Sequence, residues 1–170
     1  MAALVVVYPY TPAVQYQLFR ASSTGSPQAV QRVVADREID GNRVIIPKIG
    51  VDTPIVEGSS LDVLKTEEGV WHQTGDISGG NFVLAGHRFK YLPPNTSTLY
   101  NLDKLAAGDT IAVDWEGRRT IYQVTKLMTV GANDTSILNS DFGQRLTIYT
   151  CTDTRQTQRT VAIAQVAANP

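Results

Sequence analysis

The stretch RLTIYTCTDTRQTQRTVAIAQV, Arg145 to Val166, sets two runs rich in β-branched residues on either side of a polar loop, TDTRQTQ at 152–158. Val, Ile, Thr and Tyr suit a pleated, half-buried surface, so RLTIYTC and TVAIAQV predict two β-strands. If the two pair antiparallel, the end of the first and the start of the second share one rim of the sheet, and Cys151 and Arg159 become neighbours. A fixed positive charge beside a thiol favours the thiolate, and the same guanidinium can stabilise negative charge on a carbonyl oxygen under attack. A free thiol is equally often a small buried hydrophobe. The position at a loop edge leaves both readings open.

The same strand chemistry recurs on the N-terminal side. NFVLAGH (81–87), DTIAVDW (109–115) and RTIYQVTKLMTV (119–130) alternate with turn residues, and DWEGRR between the last two reads as a hairpin turn built on Gly117. NRVIIPKIGVDTPIVEG (42–58) gives two short strands, with Pro47 and Pro54 confining them to edges or bulges. Helical signals are brief: SLDVLKTEEG after Gly58 and TLYNLDKL before Ala106 each predict one to three turns. The pattern is mainly β, with strands closing as a barrel or sandwich. Ahead of it, residues 11–20 predict a short helix and ASSTGSPQ (21–28) a linker, so the chain divides into an N-terminal segment, 1–40, and one domain, 41–170.

Composition narrows the function. A chain of 170 residues with 42% hydrophobic and 18% charged residues can bury one real core. Fifteen Lys plus Arg against sixteen Asp plus Glu leave a net charge of −1, which provides no basic field for nucleic acid. One cysteine cannot form an intramolecular disulfide. The apolar run Ala2–Val7 is too short to cross a bilayer, while Tyr8, Pro9 and Tyr10 read as an interfacial boundary. A soluble chain and the outer end of a truncated membrane anchor both fit. Neither a phosphate loop nor an H-E-x-x-H or G-x-S-x-G motif is present, and no cofactor is expected.

A catalytic thiol needs a proton acceptor, and there are two histidines. His87 ends an apolar strand after Gly86, so its imidazole is expected at a strand rim. His72 follows Trp71 in what reads as a Gly-flanked loop; it is either a hydrogen-bonded surface histidine or part of the wall of the same cleft. Metal ligation is disfavoured, because the two His and the Cys lie far apart in sequence, and Glu67, Glu68 and Asp76 are too scattered for a calcium site.

Together these residues resemble a known family. TIYTC (147–151) is similar to the T-L-x-T-C signature of sortases, with Ile148 in place of Leu; AGHR (85–88) resembles their histidine motif; and Arg159 stands where the family keeps its arginine. The resemblance covers roughly 40–167. It implies an eight-stranded closed β-barrel with a few short helices in the connections, and a cysteine transpeptidase on the extracellular face of a bacterial cell membrane. The implied substrates are secreted proteins with C-terminal LPxTG-like sorting signals, and the implied acceptor is an amine of peptidoglycan or of a pilin. Cys151 would attack the motif's Thr carbonyl, His87 would shuttle the proton, and Arg159 would hold the substrate and its oxyanion. Thr150 matches a family Thr that helps shape the substrate pocket, or is simply a β-branched strand residue, and Ala85 and His72 are the other candidate substrate contacts. A peptidase that hydrolyses the same motif, and a non-catalytic β-domain binding peptides or glycans, are the alternatives. The absence of a recognisable lid sequence favours anchoring over pilin polymerisation.

Overall fold

The computed structural model describes residues 34–91, 95–141 and 143–167. The expected helix at 11–20, the linker at 21–28 and the aromatic boundary at 8–10 lie outside the described residues.

The described strands are β1 (Arg43–Ile46), β2 (Val51–Val56), β3 (Val70–Asp76), β4 (Gly79–Gly86), β5 (Thr110–Trp115), β6 (Arg118–Gly131), β7 (Arg145–Cys151) and β8 (Gln158–Val166). They close a barrel in the order β1-β2-β3-β4-β7-β8-β6-β5. The β1–β2, β3–β4, β5–β6, β7–β8, β1–β5 and β6–β8 pairs are antiparallel, whereas the β2–β3 and β4–β7 pairs are parallel. Closure removes the free edges of an open sheet.

Alternation along each strand fills the interior. Phe82 and Leu84 on β4, Leu146 and Ile148 on β7, and Ala162 and Ala164 on β8 belong to one buried cluster. Their neighbours in sequence therefore face outward. A second cluster of Val130, Ile137 and Val161 lies outside it, and Tyr149 packs against that one. The expected helices are short 3-10 turns, at Leu61–Lys65 and Leu102–Lys104. The turn at Gly117 joins Trp115 to its partner Arg118, with φ of 50° at Glu116 and 75° at Gly117, the left-handed pair that suits the twist of a two-residue hairpin.

The segment around His72 corrects the sequence reading. His72 stands on β3 opposite Leu84, in a strand and not a loop. The glycines that suggested a loop serve close strand approach instead. A Cβ on Gly69 would lie 2.3 Å from the Pro54 carbonyl oxygen, and one on Gly75 would lie 1.8 Å from that of Asn81.

Candidate active site

The barrel order places β7 between β4 and β8, and the site follows from that. Cys151 is the last residue of β7 and pairs directly with Arg159 on β8. On the other side, the parallel β4–β7 ladder ends at Ala85 and Tyr149. Continued two residues along both chains, that register would bring His87 level with Cys151. Because Leu84 and Ile148 point inward, His87, Cys151 and Arg159 all take the outward parity of their strands. The thiol thus has an imidazole-bearing segment on one side and a guanidinium-bearing strand on the other.

His87 is half-buried. Loss of solvent, and secondarily the positive charge of Lys90, hold its imidazole below the ordinary histidine range, which favours the neutral ring able to accept a proton. Its backbone carbonyl accepts from Leu99 N at 2.9 Å. Cys151 is a free, partly exposed thiol and not a sealed hydrophobe. Arg159 is partly exposed too, and its Nη1 donates to the Gln156 carbonyl at 2.9 Å and the Gln158 carbonyl at 3.2 Å. Among the described residues no carboxylate lies within ion-pair distance of it.

The other three expected residues sit differently. Ala85 is 1% exposed, between Trp71 on β3 and Tyr149 on β7, so it forms the floor of the surface and presents little of itself. Thr150 is also 1% exposed and has the inward parity; its hydroxyl donates to the Gly86 carbonyl at 2.8 Å. His72 is not brought to the three. Its ring stacks on Phe82 at 4.3 Å and meets Trp115 edge-on at 4.8 Å, while Nδ1 faces Glu57 Oε1 at 2.6 Å and Nε2 faces the Gly75 carbonyl at 3.0 Å. The geometry is that of a hydrogen-bonded structural histidine.

Two residues of the site escaped the sequence reading. Tyr149, two positions before Cys151, shares its face; burial raises its phenol above the ordinary range, with Arg159 opposing and Cys151 adding to that shift. Its hydroxyl donates to Gln73 Oε1 at 2.6 Å. Strand periodicity alone would have found it. Arg88, quoted only as part of a motif, donates from Nη1 to the Thr152 carbonyl at 3.0 Å and from Nη2 to Asp103 Oδ1 at 2.8 Å. Among the described residues no cluster of three or more His, Cys, Asp or Glu side chains is arranged to hold a metal.

A thiol flanked by a proton acceptor and a permanent cation, at an accessible rim, has the parts for nucleophilic attack on a carbonyl carbon. Comparison with known proteins agrees. The sortase domain model matches residues 44–167. Sortase SrtE1 of Streptomyces coelicolor is 33% identical over 124 residues, covering 63% of this chain and 34% of that protein. Sortase D of Bacillus subtilis is 31% identical over 110 residues, covering 62% of this chain and 51% of that protein. The chain therefore spans between a third and about half of the length of these curated relatives. The solved structure of a Clostridium perfringens sortase D5 transpeptidase superposes with a TM-score of 0.62 at 30% identity, covering 89% of this chain and 95% of that one.

Proposed function

The chain belongs to the sortase family, and from that premise we propose that it is a cysteine transpeptidase acting on LPxTG-like sorting motifs of secreted proteins. The observation that supports the reading is that Cys151 pairs directly with Arg159 across β7 and β8, while the parallel β4–β7 ladder, ending at Ala85 and Tyr149, runs towards His87 and Cys151.

The chemistry follows from the three groups. His87 takes the thiol proton, and the Cys151 sulfur attacks the carbonyl carbon of the motif's Thr. The carbonyl oxygen becomes an anion that Arg159 stabilises. Collapse expels the downstream amine, which takes its proton from His87, and leaves a thioester on Cys151. An incoming amine then attacks the thioester, gives its proton to His87 and releases the sulfur. Splitting one difficult amide exchange into two acyl transfers lowers each barrier. Burial, and secondarily the charge of Lys90, hold the His87 imidazole towards its neutral form, the form that accepts the thiol proton in the first step.

Secreted proteins with sorting signals are the proposed donors, and an amine of the cell envelope or of a pilin is the proposed acceptor. The proposed location is the outer face of the bacterial membrane; among the described residues no helix is long and apolar enough to cross one. Hydrolysis would use the same residues with water as acceptor, so product analysis decides between them. LPxTG-like peptides incubated with and without glycine peptides should give a trapped acyl-enzyme on Cys151 by mass spectrometry and a ligated product when the amine is present. Free acid alone at high amine concentration would make the protein a peptidase. No adduct with any motif, together with an unreactive thiol, would make it a non-catalytic domain.

A further inference from the structure

The β4–β7 ladder stops at Ala85 and Tyr149, two residues short of the pair that must meet. Beyond that point no backbone ladder fixes the spacing between His87 and Cys151, yet acyl transfer tolerates little error in it. Side chains take over. Thr150, just before the thiol, donates to the carbonyl of Gly86, just before the imidazole. Arg88, just after the imidazole, donates to the carbonyl of Thr152, just after the thiol. Both bonds span 64 residues of sequence, and between them they bracket His87 and Cys151 from the two sides.

Arg88 is well placed to be stiff. Its side chain is 14% exposed and its second nitrogen is held by Asp103 on the Leu102–Lys104 turn at 2.8 Å. The guanidinium also lies 5.5 Å from the Phe89 ring centre and 5.9 Å from that of Tyr100. A planar fork that bonds a carbonyl with one nitrogen and a carboxylate with another, between two rings, has few other orientations. A lysine ammonium would supply the charge without the fork.

Resting on the transpeptidase reading of this site, we propose that Arg88 is a positioning residue which, with the Thr150 hydroxyl as its counterpart, clamps the histidine segment to the cysteine strand and sets the His87–Cys151 spacing. Arg88 acts through the Thr152 carbonyl that its Nη1 holds.

The test compares wild type, Arg88→Met, Arg88→Lys, Thr150→Val, the Arg88→Met/Thr150→Val double variant and His87→Ala. Two quantities are measured: kcat and KM for peptide–amine exchange, and the pH profile of Cys151 alkylation by iodoacetamide. Arg88→Met should lower kcat roughly tenfold to a hundredfold, with KM within about twofold, as expected for a misplaced group that does not bind substrate. Its alkylation profile should move towards that of His87→Ala, and Arg88→Lys should rescue little. The double variant should lose less than the product of the single losses, because both bonds serve one spacing. Wild-type kcat in Arg88→Met, or an alkylation profile that stays with wild type, overturns the proposal. If Arg88→Met does not fold, Asp103→Asn, which loosens the same guanidinium, should show the same change in smaller measure, and an unchanged profile there overturns it equally. Alkylation needs no substrate, so a wild type that transfers nothing refutes the transpeptidase reading while the profiles still judge the clamp.

Discussion

Two arginines sit at opposite ends of the long strand β6 and its neighbours, and they are used in opposite ways. At the start of β6, Arg119 is 7% exposed and forms a two-pronged pair with Asp114, which is 1% exposed, at 2.6 Å through both nitrogens. Its remaining nitrogen donates to the carbonyls of Val34, at 2.6 Å, and of Arg37, so the same side chain pins the segment ahead of β1 to the barrel. Hydrogen bonding to Asp114 and its negative charge, against the cost of burial, keep this guanidinium even more firmly protonated than usual. At the other end, Arg159 pairs across from Val130 on β6 and from Cys151 on β7, and bonds only carbonyls of its own loop. Burial and a fixed carboxylate consume the first charge in the fold. Partial exposure leaves the second open to solvent, as the proposed role in holding a substrate oxyanion requires.

That contrast predicts a separation of activity from stability. Arg159→Ala should lower amine-dependent transfer by about a hundredfold to a thousandfold while leaving the thermal midpoint nearly unchanged, measured by product formation and by a melting curve on one preparation. A drop in midpoint comparable to that of Arg119→Ala would erase the distinction. Arg119→Ala should do the reverse: it leaves Asp114 buried without its partner, at a cost of about 3–5 kcal/mol, which for a domain of this size lowers the midpoint on the order of ten degrees. Activity per folded molecule should persist. Asp114→Asn sharpens the comparison, because it keeps the shape and one acceptor oxygen while removing the charge and the second acceptor; a loss of about 1–3 kcal/mol in denaturant titration is expected. The smallest effect belongs to the periphery of the site. Lys90 holds the His87 imidazole towards neutrality, so Lys90→Met should move the acid limb of the pH–rate profile upward, since removing a nearby positive charge makes protonation of His87 easier. A downward shift would contradict the assigned field.

How much of this could be read beforehand depends on the separation of the parts along the chain. The β7–β8 pairing is local, so its polar loop and flanking β-branched runs already made Cys151 and Arg159 neighbours, as the Cys151–Arg159 register confirms. The β5–β6 hairpin was equally legible, because a Gly that accepts positive φ beside alternating strands specifies the turn. The parallel β4–β7 ladder, which runs towards His87 and Cys151, was not legible, because nothing in the residues between the two strands encodes it. The reading of His72 as a loop residue failed for a related reason. Gly69 and Gly75 signal both turns and close backbone approach, and only the neighbouring strands show which applies. The outward Tyr149 was available from period two and was overlooked.

By itself, the sequence determined the strands, their inward and outward faces and the one local pairing that sets a thiol beside a guanidinium, since side-chain chemistry and loop length act over a few residues. The tertiary structure alone decided which distant strand lies on the other flank of the thiol, and which arginine is spent on the fold. Those choices depend on closing the whole barrel, where each register is fixed by its neighbours' packing and each buried charge by the partner that closure brings to it.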